Sequence, residues 1–248
     1  MLFSIIKNRI EQGYRTSKYP NEEIKLPERF KGKPEINSNC EQKIAELCAS
    51  NCPQDAIDPK EKTIHLGKCV FCGLCEELSN GSFIKFSNDF ELAVTDPEQL
   101  IYDGMIEKLE IHAKKHFKKL FGRSLQLRQV SAGGCNACEA DLNVLNTPFF
   151  DLSRFGIQFV ASPRHADGII VTGPVTRNMK KALLKTYEAI PDPKIVIASG
   201  SCAISGGPFR GNPEQLNGVD GILKVDLYIP GCPPHPLTTL HALLTFFK

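Results

Sequence analysis

The sequence predicts an α/β protein in two cysteine-bearing parts: a small α+β unit up to about residue 95, and an open parallel-sheet α/β domain from residue 125 to 248. Three observations predict it. From Leu125 onward, apolar runs of β-propensity alternate with stretches of helical spacing, the pattern of strand-helix-strand layers. Cys135, Cys138, Cys202 and Cys232 stand in Gly-, Ser- or Pro-rich turns directly after such runs. In an open parallel sheet those turns gather outside the carboxyl ends of the strands, where α/β folds place their ligands. The remaining six cysteines crowd into residues 40–75, in a stretch with only short apolar runs.

The bulk properties exclude several function classes. A formal net charge of +2 and a pI near 8.0 give no global reason to expect nucleic acid as a partner. No apolar run approaches the length of a bilayer span. The start, Met1 to Ile10, is interrupted by Lys7 and Arg9 and has no small-residue cleavage site, so it does not read as a secretory signal. The expectation is a cytosolic chain, whose thiols are kept reduced rather than paired in disulfides. Cysteines spaced Cys-X-X-Cys in glycine-rich loops then read as metal or cluster ligands.

Taken in order, residues 1–14 place Leu2, Phe3, Ile5, Ile6 and Ile10 among Lys7, Arg9 and Glu11, an amphipathic helical pattern for an arm packed on its own domain or a partner. Residues 15–39, with Pro20, Pro27 and Pro34, predict a wrapping loop. A short strand at Thr63 to Leu66 then leads into Cys69-X2-Cys72-X2-Cys75, which opens a short helix. That spacing is one motif of a bacterial two-cluster ferredoxin, in which the fourth ligand comes from the other motif, from a cysteine followed by proline. Cys52-Pro53 supplies it, so Cys52, Cys69, Cys72 and Cys75 form one complete set.

The companion set is broken. Its expected positions fall on Gln42, Ala45, Cys48 and Ser79, and only Cys48 is a thiol in register; Cys40 lies two residues too early. A second cluster there is expected to be lost, with Cys40 and Cys48 left as structural thiols. Zinc held by four cysteines is the alternative for both complete groups, although it usually pairs two Cys-X2-Cys knuckles.

Between Asp96-Pro97 and Gly122 the positions Leu100, Ile101, Met105, Leu109, Phe117, Leu120 and Phe121 recur at helical spacing, so residues 96–124 predict a helical linker. Its basic end, Lys114 to Arg123, suits the C-terminal end of a helix dipole. Beyond it strands are expected at 125–130, 157–161, 168–172, 194–198 and 223–229, helices at 138–146, 176–189 and 236–247, and a surface loop from Gly206 to Gly221.

Specific motifs carry a family resemblance. Gly134-Cys135-Asn136-Ala137-Cys138-Glu139, Ser162-Pro163-Arg164-His165-Ala166-Asp167, Val171-Thr172-Gly173-Pro174-Val175-Thr176-Arg177 and Ile229-Pro230-Gly231-Cys232-Pro233-Pro234 resemble the small subunit of membrane-associated energy-converting nickel-iron hydrogenases of the formate hydrogenlyase type, and its relative in respiratory complex I. Residues 1–95, through Phe30-Lys31-Gly32-Lys33-Pro34-Glu35 and Phe90-Glu91-Leu92-Ala93-Val94, resemble the ferredoxin-like subunit of formate hydrogenlyase. The chain thus looks like a fusion of two electron-transfer subunits.

The resemblance implies a bacterial ferredoxin-like α+β domain, a flavodoxin-like parallel-sheet domain, and two 4Fe-4S clusters. Cys52, Cys69, Cys72 and Cys75 would hold one, and Cys135, Cys138, Cys202 and Cys232 the one nearest the large subunit's active site. It further implies a hydrogenase or complex I-like large subunit as partner, other subunits of a membrane-associated complex, and a peripheral place on the inner face of the cell membrane. The complex I relative carries two adjacent cysteines at the first ligand position, whereas this chain has Cys135-X2-Cys138, which favours the hydrogenase branch.

The reading from sequence is a non-catalytic electron-transfer subunit. Its alternatives are the same relay in a nickel-free, complex I-like quinone oxidoreductase and a zinc-stabilised assembly protein. Glu139 either joins a proton path or favours the start of its helix, and Arg164 and His165 are expected in a loop facing the large subunit. His235 and His241 are expected to pack or face solvent. Ser201 and Ser205 have no neighbouring base, so serine nucleophile chemistry is set aside.

Overall fold

A computed structural model describes residues 2–105 and 124–247. In the second half, β6 (Leu125–Ser131), β7 (Ile157–Phe159), β8 (Gly168–Thr172), β9 (Ile195–Ser199) and β10 (Leu227–Ile229) form one parallel sheet in the order β10-β9-β8-β6-β7. This is the flavodoxin-type order, in which the first and third strands lie side by side and create a switch point. Here those strands are β6 and β8, registered with Leu127 beside Gly168 and Ser131 beside Thr172. β8 and β9 are buried throughout, which is why both read as continuous apolar runs rather than as alternation.

Period-two alternation sorts those runs between two faces. Leu127, Ile170, Ile195, Ile197 and Ile229 pack beneath α4 (Ala137–Val144) and α7 (Pro236–Phe247), against Leu142, Leu145, Leu240 and Leu243. Val130, Ile169, Val171, Val196 and Ala198 face the other way, toward Leu183 of α5 (Arg177–Glu188). That second core continues without a break into Ile64, Leu66, Phe83 and Ile84 of the N-terminal unit.

The N-terminal unit runs β1 (Pro34–Ile36), α2 (Gln42–Ser50), β2 (Ile57–Asp58), β3 (Thr63–His65), α3 (Leu74–Leu78) and β4 (Ile84–Phe86), preceded by α1 (Leu2–Gln12). β1 pairs antiparallel with β4 and β2 with β3, so two strand-helix-strand halves close on each other. The wrapping segment holds to the far domain. Ser17 N–H donates to Phe149 O at 2.8 Å and Arg154 donates to the Ser17 and Tyr19 carbonyls at 2.6 and 2.8 Å.

Three sequence expectations change here. Residues 97–100 form a short 3-10 turn capped by the Asp96 carboxylate, and Ile101–Tyr102 form β5, which pairs with β3. Leu100 and Tyr102 are buried because this segment completes the small sheet rather than starting a helical linker; the basic end of that linker, Lys114 to Arg123, lies outside the described residues. The strand expected at 223–229 forms only at 227–229. The loop expected on the surface between Gly206 and Gly221 is exposed at its tip, yet it buries Gln215 and Val219, the latter under α6 (Ser201–Ser205) through Val219 N–H to Ala203 O at 2.9 Å.

Candidate functional site

At the switch point the turns after β6 and β8 meet backbone to backbone. Gly173 has φ +82°, and a Cβ on it would lie 2.5 Å from Gly134 N, so no side chain fits. This contact brings Cys135 and Cys138 to the carboxyl end of the sheet, with Cys138 in the first turn of α4. Cys202 opens α6 directly after β9, and Cys232 follows β10. At Gly200, φ +90°, a Cβ would lie 2.7 Å from Cys138 Sγ; the backbone after β9 therefore presses on the thiol at the head of α4. All four sequence-identified thiols of this half come to one sheet edge.

Their electrostatics show how close they stand. Burial first, then Cys232 and Cys135, pushes the Cys202 thiol up to about 12. Cys138 is pushed up by burial first, then by Cys202, Glu139, Cys232 and Cys135. Cys135 and Cys232 thus oppose ionisation of Cys202, and Cys202 opposes that of Cys138; a cationic centre among them would offset this. Glu139, 6% exposed, accepts a hydrogen bond from Thr172 Oγ1 at 2.7 Å at the end of β8. Its carboxylate is tied across the switch point beside the thiols. Arg164 and His165 are exposed in a loop that follows β7.

The first set is the more enclosed, with Cys69 buried and Cys72 alone exposed. Cys52, Cys69, Cys72 and Cys75 line one small cavity of about 20 Å³, walled by Ile57, Ile64 and Phe86. Backbone amides point at the sulfurs: Ala56 N–H donates to Cys52 Sγ at 3.4 Å and Phe71 N–H to Cys69 Sγ at 3.3 Å. Burial pushes the Cys75 thiol up to about 12; Cys48 and Cys72 push the same way and the Glu76 amide pulls it back. Lys31 Nζ pairs with Glu76 at 2.6 Å and closes the rim of the loop.

The broken set is filled in. Ala45 is fully buried, Gln42 turns outward to Glu46, and Cys48, 1% exposed, donates its S–H to Cys75 O at 3.4 Å. Among the described residues no group of three or more His, Cys, Asp or Glu is drawn tightly enough around one point to hold a single metal ion.

Sequence reasoning missed what joins the two sets. Ser201, 1% exposed, donates its hydroxyl to Cys69 O at 2.6 Å and also lies 3.1 Å from Gly231 O. Ser205, one turn along α6, donates to Gly67 O at 2.8 Å, and Arg210 to Gln54 O at 2.6 Å. The two serines set aside as nucleophiles are seam donors. Their i, i+4 spacing was the available signal. His235 packs edge-on against Phe30, and His241 bonds the Tyr19 hydroxyl at 2.8 Å; both belong to packing around the wrapping segment.

A parallel sheet with four thiols at its carboxyl edge defines an open α/β class, and comparison with known proteins narrows it. The family model described as NADH ubiquinone oxidoreductase, 20 Kd subunit, matches residues 135–246. The probable membrane-bound hydrogenase subunit mbhJ of Pyrococcus furiosus is 44% identical over 126 residues, which is 51% of this chain and 75% of that one. Formate hydrogenlyase subunit 7 of Escherichia coli is 43% identical over 145 residues, 58% of this chain and 55% of that one. An NADH-quinone oxidoreductase subunit of Roseiflexus sp. is 41% identical over 150 residues, 57% of this chain and 56% of that one.

The chain belongs to this family of 20 kDa-type oxidoreductase subunits. It spans about half the length of the E. coli relative. No helix among the described residues is long and apolar enough to cross a membrane.

Proposed function

We propose that the chain is an iron-sulfur electron-transfer subunit of a formate hydrogenlyase-like, energy-converting nickel-iron hydrogenase complex, with a ferredoxin-like N-terminal domain fused to the 20 kDa-type domain. The observation that carries it is α6. Its Cys202 belongs to the sheet-edge thiols while its Ser201 holds the carbonyl of Cys69 in the enclosed set. One short helix links two complete four-cysteine sets.

The donor sets fit the group. A 4Fe-4S cluster in each would supply one-electron transfer between a redox partner and the large subunit. Cys52, Cys69, Cys72 and Cys75 would hold one and Cys135, Cys138, Cys202 and Cys232 the other. The order of strands and helices in the N-terminal unit, with β1 on β4 and β2 on β3, supports the ferredoxin-like reading. A Cys-X2-Cys-X2-Cys run completed by a remote Cys-Pro suits a multi-iron group better than one zinc ion, which usually pairs two Cys-X2-Cys knuckles. Ile57, Ile64 and Phe86 would give such a group apolar surroundings, while the Ala56 and Phe71 amides would stabilise sulfur charge. The exposure of both Cys135 and Cys232 supports a large subunit meeting the chain at the sheet edge. Through its partners the complex sits on the cytoplasmic face of a membrane.

The test is electron paramagnetic resonance of the dithionite-reduced, anaerobically purified complex. Two fast-relaxing cluster signals are expected from this chain, one lost in Cys69→Ala and the other in Cys202→Ala. A folded chain giving neither signal would overturn the proposal. A second reading, a nickel-free complex I-like oxidoreductase, draws on the Roseiflexus relative, which is nearly as similar as the hydrogenase relatives. Absence of nickel from the large subunit of an intact complex would select it.

A further inference from the structure

Three donors converge on one carbonyl beside the enclosed thiols. Cys75 O accepts Ser79 N–H at 3.1 Å, Ser79 Oγ–H at 2.7 Å and Cys48 Sγ–H at 3.4 Å. Ser79 and Cys48 are 6% and 1% exposed, so neither donor has water to turn to. The carbonyl they hold belongs to the peptide between Cys75 and Glu76, and the Glu76 amide at the opposite edge of that peptide plane favours the ionised form of the Cys75 thiol. Glu76 is fixed from its other end by Lys31 at 2.6 Å and by Phe86 N–H at 3.2 Å, so the peptide cannot rotate away.

Position makes this arrangement informative. Cys48 and Ser79 stand where two ligands of a second cluster would stand, and the structure puts them to a different use. Donors on a carbonyl polarise its amide and strengthen the hydrogen bond that the amide's N–H makes. A stronger N–H bond to a ligating sulfur favours the more negative, reduced state of a bound cluster and so raises its potential.

We propose that Ser79 and Cys48 are positioning residues for the enclosed site: they hold and polarise the Cys75–Glu76 peptide and thereby raise the reduction potential of the cluster bound by Cys52, Cys69, Cys72 and Cys75. The inference rests on the iron-sulfur reading above. It makes the broken motif a working part of the intact one.

The experiment is a redox titration of the full complex followed by electron paramagnetic resonance, with iron per chain measured in parallel. Ser79→Ala is expected to keep the iron content and to shift only the enclosed cluster to a more negative potential. Ser79→Thr, which keeps the hydroxyl, is expected to restore it. Cys48→Ala should shift the same cluster in the same direction by less, since its bond is the longer, and Cys48→Ser should restore it. An unchanged potential in both alanine variants with full iron would overturn the inference while leaving the electron-transfer reading in place. Loss of about four irons in Cys48→Ala would overturn it by making Cys48 a ligand. A wild-type chain without iron would overturn the reading on which it rests, and this inference with it.

Discussion

The two four-cysteine sets differ in how the chain surrounds them. The N-terminal set is closed in by Ile57, Ile64 and Phe86, and Cys69 is buried. At the sheet edge, Cys135 and Cys232 are exposed. The N-terminal set presents one thiol outward, Cys72, whereas the sheet-edge set presents two. On the proposed reading, the more open sheet edge is the face expected to meet a large subunit.

The comparison can be broken most strongly at the thiols. Cys69→Ala and Cys232→Ala should each remove about four of about eight irons. In Cys69→Ala the loss should come with a lowered unfolding temperature, because an apolar cavity is left without its content; in Cys232→Ala, at an exposed position, the unfolding temperature of the isolated chain should barely change. Metal analysis beside calorimetry checks both.

A smaller effect is expected at the switch point. Thr172→Val removes the donor to the buried Glu139 carboxylate and should cost about 2 kcal/mol in chemical denaturation, with Thr172→Ser largely restoring it. Ser201→Ala removes the seam donor to Cys69 O. About 1 kcal/mol of stability should go, and electron transfer between the sets, read by rapid freeze-quench, should slow with both clusters present.

The smallest effect is a pH dependence. Burial, then the Lys68 and Arg210 charges, lowers His65 from 6.5 to about 4. The folded chain therefore favours neutral imidazole. Its contribution is fully present above pH 6.5 and is lost as pH falls toward about 4. The unfolding temperature of wild type should drop more steeply across that window than that of His65→Gln.

Much of the molecule was legible in the residues, and the exceptions have physical reasons. Strands β8 and β9 were readable because burial on both faces demands unbroken apolar runs. The thiol sets were readable because ligand spacing is a local property. Leu100 to Tyr102 misled because a 3-10 turn followed by a two-residue strand places apolar groups much as a helix does. The Gly206–Gly221 segment has loop composition, yet Val219 is buried by α6, a partner that its own sequence cannot reveal. Ser201 offered only its i, i+4 spacing with Ser205, and Ser79 offered nothing, since each bonds a carbonyl distant in sequence or hidden in a turn. The broken companion set was legible as missing thiols; the hydrogen bonds that Cys48 and Ser79 give to Cys75 O were not.

What the two thiol sets hold decides the function. Iron and acid-labile sulfide per copy of this chain, measured in the anaerobically purified complex with Cys69→Ala and Cys202→Ala used to subtract the partners' share, test it most directly. About eight irons with equal sulfide, half lost in each variant, is the expected result. Zinc in place of iron, or iron that neither variant removes, would contradict it.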